Sequence, residues 1–308
     1  MPGPRSISAV VATFLAAAFL VLFPAGCARA DQPAPASLVG RADTSVILIT
    51  GSTDGLGRAL ALRLGTEGAH VIVHGRNVER GAEVVAAVEA AGGSARFYAA
   101  DFTSLEEVRE LADAVRRDYD RLDILVNNAG VGPGAPAHER VLTADGHELR
   151  FQVNYLAGYL LTHELLPLLE ASAPARIVNV TSRSQQPLDF DDLRLDRRYS
   201  GGLAYARSKL AQVLMTQDLA EELADRGVVA FAVHPAPAMA TNLVRETGAT
   251  PQSTVAQGVT AVLQAIRTRT HPSGTFFYEL EPRRAHLQAY DREARRRLRE
   301  LSETMIRR

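Results

Sequence analysis

Val46-Ile47-Leu48-Ile49-Thr50-Gly51-Ser52-Thr53-Asp54-Gly55-Leu56-Gly57 is the stretch on which the reading of this chain turns. Four consecutive apolar residues fit a short strand buried on both faces. Three glycines follow in the order G-x-x-x-G-x-G, and Leu56, Leu60, Ala61 and Leu64 then recur at helical spacing. A strand that turns through glycines into a helix lets backbone approach a phosphate closely. The free N–H groups of the helix start then face the negative charge.

Working outward, the same beat repeats. Val71 to Val73 reads as strand, residues 78 to 91 as helix ending at Gly92-Gly93, and Arg96 to Ala100 as strand. Ser104 is an N-cap for a helix from Leu105 to Tyr119. Leu122 to Val126 is strand, residues 139 to 170 are helical, and Ile177 to Val180 is strand. Leu203 to Ala224 is helix, Val228 to Val233 strand, and Thr250-Pro251 stand in N-cap and N1 order before a further helix. Strands alternating with helices predict an α/β protein: one doubly wound parallel sheet with helices on both faces, in a single domain over residues 45–308.

Composition narrows the function. The 308 residues carry 34 basic and 35 acidic side chains, a balance that gives no bulk electrostatic reason to bind nucleic acid. One cysteine excludes an intramolecular disulfide framework and a Cys-rich zinc site, and the eight His form no metal-ligand motif, so no metal is expected. Residues 1–30 hold a basic start, an apolar run from Ile7 to Phe23 and the small-x-small triplet Ala28-Arg29-Ala30. That order fits a signal peptide or a membrane anchor; Cys27 adds a lipoprotein reading, and a start assigned too far upstream is a further one. The chain is accordingly membrane-associated or exported if this segment is genuine, and cytoplasmic if it is not. Residues 31–44, rich in Ala, Pro and Asp, read as a linker.

Further motifs carry a resemblance. Asn127-Asn128-Ala129-Gly130 follows the fourth strand, Asp101-Phe102 the third, Ser182 the fifth, and Tyr205-Ala206-Arg207-Ser208-Lys209 lies on the following helix. With the glycine turn, these resemble the short-chain dehydrogenase/reductase family over about residues 44 to 305. The resemblance implies a single-domain Rossmann fold and a nicotinamide cofactor. Gly51, Ser52, Thr53, Gly55, Leu56 and Gly57 would line the pyrophosphate; Asp101 and Phe102 the adenine; Asn128, Ala129 and Gly130 the ribose side; Pro235 and Thr241 the nicotinamide. At the end of the second strand stands His74-Gly75-Arg76, with Gly75 where NAD-preferring members usually carry Asp. The missing acid and the adjacent cation predict NADP(H); the bland alternative is that Arg76 is a solvated surface residue.

Tyr205 and Lys209, four apart on a helix, share one face. An ammonium beside a phenol lowers its pKa, which makes Tyr205 the expected general acid/base for an alcohol–carbonyl pair. By resemblance Lys209 also holds the nicotinamide ribose, Ser182 donates to the substrate oxygen, and Asn154 supports a proton-relay water. The expected partner is therefore a small apolar alcohol or carbonyl compound, and a second copy of the chain in a homodimer is a further candidate. The rival from another class is a catalytically silent NADP-binding sensor or scaffold; such proteins typically lose the Tyr or the Lys, and both stand here.

Ser182 and Tyr205 lie 23 apart, wider than the family's usual gap, and the added segment with Asp189-Phe190-Asp191-Asp192-Leu193 resembles the retinol dehydrogenase and protochlorophyllide reductase-like branch. Residues 183–202 mix acids with Arg, so a solvated surface loop is their bland reading. In His234-Pro235-Ala236, Ala stands where the family has Gly, so this turn is expected to depart from the family's backbone. Met239, Leu243 and Val244 suggest a pocket wall or loop anchors. The last helix places Leu287, Tyr290, Ala294, Leu298, Leu301 and Met305 on one stripe, with Arg292, Arg295, Arg296 and Arg299 on its other faces. A core-facing helix with a solvated back is favoured over a membrane-surface helix.

Overall fold

In the computed structural model, residue 3, residues 45–134 and residues 139–307 are described. The architecture below is that of the unit Ala34–Arg308. The signal, anchor and linker expectations fall outside the described residues. Strand β1 (Val46–Ile49) leads into helix α1 (Gly55–Thr66), followed by β2 (His70–Gly75), α2 (Val78–Ala90), β3 (Ser94–Ala99) and α3 (Leu105–Asp118). Then come β4 (Ile124–Asn127), the short α4 (Leu149–Phe151), a π-helical turn over Gln152–Leu156, and α5 (Ala157–Ala171). The second half runs β5 (Ala175–Val180), α6 (Gly201–Glu222), β6 (Val228–His234), α7 (Asn242–Arg245) and α8 (Val255–Arg267). It closes with β7 (Phe276–Tyr278), β8 (Glu281–Arg283), a 3-10 turn over Leu287–Tyr290 and α9 (Arg292–Ile306).

The strands form one sheet in the order β3-β2-β1-β4-β5-β6-β7-β8, parallel except for the antiparallel β8. Side chains alternate across it with period two. Ile47, Ile49, Val71, Val73, Ile124 and Val126 face Leu60 of α1, Val84 of α2 and Val262 of α8. Leu48, Ile72, Leu125 and Ile177 face Leu111 of α3, Leu165 of α5 and Leu214 of α6. The doubly wound sheet and its two helical layers are therefore as expected. Strand order reverses between β1 and β4, and in such folds ligands bind at the carboxyl ends of the strands beside that reversal.

Several local expectations need correction. Residues 139 to 148 are not helical. Leu142 bridges Glu148, Thr143 N–H donates to His147 O at 2.8 Å, and Gly146 takes φ of 80°, which closes a turn. Helix α8 starts later than Thr250-Pro251: Thr254 is its N-cap, in a reciprocal capping box with Gln257. Leu287 is 72% exposed and leaves the apolar stripe, whereas Arg295 is buried and ion-paired to Glu221 at 2.6 Å. Strands β7 and β8 were not expected; each is three residues long, too short for a periodic signal.

The inserted segment between β5 and α6 is irregular and largely exposed, yet anchored by buried leucines. Leu188, Leu193 and Leu195 are buried, and Asp192 accepts from the N–H of Asp196 at 2.7 Å. The C-terminal 3-10 turn clamps it. Gln288 accepts from Leu188 N–H at 2.7 Å and donates to Leu188 O at 3.0 Å, and His286 N–H donates to Gln185 at 2.8 Å. Removing one partner of such bonds leaves the other unpaired at a cost of about 1–3 kcal/mol. Gln288→Ala is expected to lower the urea midpoint and to open the segment to limited proteolysis, with new cuts between Ser182 and Ser200; an unchanged digest would deny the clamp.

Candidate active site

The glycine turn is built around close backbone approaches. Gly51 has φ of 63°, and a Cβ there would lie 2.8 Å from Ala129 Cα. A Cβ on Gly57 would lie 2.4 Å from Gly51 O and 2.6 Å from Asn128 Nδ2. Asn128 holds the turn from beneath: Nδ2 donates to Thr50 O at 2.8 Å and to Gly51 O at 3.1 Å. Thr50 Oγ1 accepts from the N–H groups of Asn128 and Ala129. The Ser52 side chain points inward, donating to Ile49 O at 2.7 Å, and Leu56 packs in the core. Of these two, only the backbone is placed to meet a ligand. Asp54 caps α1 by accepting from Gly55 N–H at 2.7 Å.

At the end of β2, a Cβ on Gly75 would lie 2.6 Å from Thr53 Cγ2 and 2.7 Å from its hydroxyl. A carboxylate at position 75 would therefore have to displace Thr53, so the side-chain-free position is required by its neighbour. Arg76 reaches outward, 69% exposed, and pairs with Asp101 at 3.6 Å. Asp101 also accepts from Thr103 N–H at 2.9 Å. Phe102 is buried and stacks on His74 with centroids 4.5 Å apart. His74 was not singled out from the sequence; a histidine inside a strand carries no motif of its own.

Helix α6 presents Tyr205, half-buried, and Lys209, buried, toward the ends of β4 and β5. The Lys209 ammonium lies 5.8 Å from the Tyr205 ring centre and donates to Val180 O and to Gln212 Oε1, both at 2.9 Å. Gln212 is thus a polar neighbour of the site that the Y-x-x-x-K spacing does not reveal. Burial brings Lys209 down to about 7. Burial raises Tyr205 above the usual phenol value, and a hydrogen bond with Ser182 pulls the other way. In the protein alone, burial therefore outweighs the lowering expected from Lys209. Ser182 is buried at the end of β5 and accepts from Ser184 N–H at 3.1 Å.

Asn154 lies in the π-helical turn, a distortion frequent at functional sites. Its side chain accepts from Val131 N–H at 2.7 Å and donates to Ser208 Oγ at 2.9 Å. It thereby ties the loop after β4 to α6. A Cβ on Gly130 would meet Asn154 Oδ1 at 3.2 Å and Lys209 Nζ at 3.7 Å, so all three converge. On the far side, Arg150 is fully buried. It donates to Gly132 O at 2.9 Å and to Tyr199 Oη at 2.6 Å, and pairs with Glu148 at 3.4 Å. Pro235 and Ala236 are buried after β6. The unusual backbone falls on Ala238, with φ of 38°, not on Ala236. Thr241 comes to the mouth of the turn, with Cγ2 3.3 Å from where a Gly55 Cβ would be. Beside it Asn242 donates to Asp54 at 2.6 Å. Met239 packs against Gly258 and the α8 face, as an anchor; Leu243 covers Gly132.

Strand order, glycine turn and the α6 pair define an α/β fold of the dinucleotide-binding kind. A family model described as short chain dehydrogenase matches residues 45–252, and this chain belongs to that family. It is 39% identical over 222 residues to retinol dehydrogenase 13 of Mus musculus, covering 70% of this chain and 64% of that one. It is 39% identical over 194 residues to retinol dehydrogenase 12 of Homo sapiens, covering 62% and 60%. The matches thus span about three fifths of the length of these curated relatives. Among solved structures, a protein from Mycobacterium paratuberculosis superposes with a TM-score of 0.71 at 29% identity, covering 85% of this chain and 93% of that one. A short chain dehydrogenase from Escherichia coli complexed with NADPH does so with a TM-score of 0.62 at 28% identity, covering 77% and 97%. Among the described residues no cluster of three or more His, Cys, Asp or Glu is placed to hold a metal ion, and no helix is long and apolar enough to cross a membrane.

Two histidines of this region set an acid limit. Burial lowers both His74 and His234 to about 4; the hydrogen bond to Ala100 O and then Asp101 oppose the shift at His74, and Arg183 adds to it at His234. Unfolded, each titrates near 6.5. Between those values the unfolded chain binds more protons, so stability is full above about pH 6.5 and is lost as pH falls toward 4. The unfolding free energy is expected to drop by roughly 2 kcal/mol per histidine between pH 7 and pH 5. Urea denaturation at the two pH values measures it, and equal values would contradict the shifts.

Proposed function

We propose that this protein is an NADP(H)-dependent oxidoreductase that interconverts an alcohol and a carbonyl on a small apolar substrate, with Tyr205 as general acid/base. The observation that carries the reading is the convergence of Ser182, Tyr205 and Lys209 beside a turn in which the Gly51 and Gly57 positions leave no room for a Cβ. The first turn of α1, from Gly55 to Gly57, would meet the pyrophosphate. Asp101, Arg76 and Thr53 would line the adenosine end, and Asn128, Ala129, Gly130, Pro235 and Thr241 the nicotinamide half. Gly75 and Arg76 favour a 2′-phosphate: the first keeps an acid away and the second offers a cation. The retinol dehydrogenases among the relatives and the NADPH complex among the similar structures agree with this assignment.

When bound, the nicotinamide exchanges a hydride with the substrate carbon. The chain's own residues manage the oxygen. Ser182 donates a hydrogen bond to it and stabilises developing charge. Tyr205, held protonated by burial, delivers its phenolic proton to a carbonyl oxygen in the reducing direction. Lys209, at about 7, carries positive charge for part of the population at neutral pH and keeps the returning phenolate favourable. Asn154 and Gln212 hold the walls on either side of that amine.

Tyr205→Phe is expected to bind NADPH as the wild type does, by fluorescence titration, and to lose about 10²–10⁴-fold in kcat over a panel of carbonyl substrates. Near-wild-type turnover would refute the acid/base role, and NADP binding with no turnover in the parent would favour a sensor. The ratio of kcat/KM for NADPH to that for NADH is expected to exceed one and to shrink in Arg76→Ala. A parent that prefers NADH would overturn the cofactor assignment.

A further inference from the structure

His74 lies one residue before the end of β2, inside the sheet, and is 2% exposed. Its imidazole bridges two other strands' ends. Nδ1 accepts from Gly51 N–H at 3.1 Å, and Nε2 donates to Ala100 O at 3.1 Å. A carbonyl oxygen only accepts and an amide N–H only donates, so the proton sits on Nε2 and Nδ1 is bare. The backbone of the same residue is engaged with the next residue of the turn. Ser52 N–H donates to His74 O at 2.8 Å, and His74 N–H donates to Ser52 Oγ at 3.0 Å. The ring face lies on Phe102, interplanar angle 27°.

Gly51 itself has no side chain with which to hold its φ of 63°. Asn128 takes its carbonyl from one side, and the His74 ring takes its N–H from the other. The His74 ring is also the object that packs Phe102 and fixes the Ala100 carbonyl, immediately before Asp101. One side chain therefore joins the phosphate turn to the wall that faces the adenosine end.

We propose that His74 is a positioning residue for the dinucleotide: through Nδ1 it locks the first glycine of the phosphate turn, and so fixes the spacing between the pyrophosphate cradle and the Arg76–Asp101 end. The proposal rests on the NADP(H) reading. An apolar side chain at position 74 leaves Gly51 N–H without its acceptor, and the turn then samples conformations that do not bind. Apparent affinity falls in proportion to the population lost.

Amide side chains separate the two ring atoms. Asn carries an oxygen close to where Nδ1 lies, and Gln carries its amide one bond further out, where Nε2 lies. NADPH binding, read from enhancement of its own fluorescence, is measured for the parent and for His74→Leu, His74→Asn and His74→Gln. The Leu and Gln variants are expected to raise Kd roughly tenfold, the Asn variant by less than about threefold. Equal affinity of Leu and parent, or of Asn and Gln, overturns the proposal; the Asn and Gln pair decides it if the Leu variant does not fold. Hydrogen exchange of the cofactor-free proteins gives an arm that does not depend on the NADP(H) reading. Exchange at Thr50–Gly57 is expected to speed up in Gln and to stay slow in Asn, and no difference between them again overturns the lock. A parent that does not bind NADPH, with that exchange pattern intact, would instead remove the cofactor reading alone.

Discussion

The close approach of Gly51 to Ala129 is the constraint on which the molecule depends. It occurs where β1 and β4 part company, at the reversal of strand order, and it leaves no room for a methyl group between the two backbones. Everything near it serves to hold two chain segments at that separation. Thr50 spends its hydroxyl on the amides of Asn128 and Ala129, and Asn128 spends its amide on the carbonyls of Thr50 and Gly51. Two of the side chains that sequence motifs nominate as ligand contacts, Ser52 and Asn128, are scaffolding of the turn. They shape the turn, and in the proposed complex backbone amides are what would face the pyrophosphate.

A second layer of polar groups is buried at greater cost. Arg150 is fully buried and takes its partners from Gly132, Pro133, Glu148 and Tyr199. A buried ion pair seldom adds stability over an apolar replacement, because desolvation offsets most of the attraction. Its use is better sought in placement. These partners belong to the loop after β4, the start of α4 and the approach to α6, three segments that meet beside the Tyr205 helix. A Cβ on Gly201 would lie 2.2 Å from Pro133 O, which shows how closely the first residue of α6 is pressed against that loop.

The parts of the fold that were legible share a physical reason. Val46–Ile49 and Val71–Val73 sit in strands covered on both sides, so their apolar character is uninterrupted; in Ile177–Val180 it is broken by Asn179, which is buried and hydrogen-bonded to Asn127 and Thr216. Ser104 and the Gly92-Gly93 pair mark helix ends because caps need particular residues. What escaped was set by tertiary contacts. Thr250-Pro251 has a start-of-helix signature, but the capping box of Thr254 and Gln257 closes two donors where the earlier pair closes none. At residues 139–148 the helix is replaced by a turn at Gly146 whose Leu142–Glu148 bridge only the folded chain completes. At the site, Tyr205, Lys209 and Ser182 announce themselves by spacing, whereas His74 acts through partners far away in sequence, 23 residues for Gly51 and 26 for Ala100. Gln212 stands only three residues from Lys209, at a position that no motif marks.

The inserted segment and the C-terminus complete the argument about placement. Lengthening the chain between Ser182 and Tyr205 separates two groups that the proposed reaction brings to one substrate oxygen, and a free loop there would cost order at the candidate site. The protein recovers that order with chain from its other end. Gln288 pairs with both backbone groups of Leu188, His286 takes Gln185, and α9 rests on α6 through Leu298 and through Arg299 on Asp218 at 2.8 Å. Tyr155 reaches Ser302 at 2.7 Å, so the π-helical turn that carries Asn154 is backed by the same helix. The arginines of α9 are thus employed in part as struts: Arg295 and Arg299 join it to acids of α6. The core-facing helix that the sequence favours is, in its packing, the rear support of the candidate active site, and part of its arginine-rich back is tied to α6 as well.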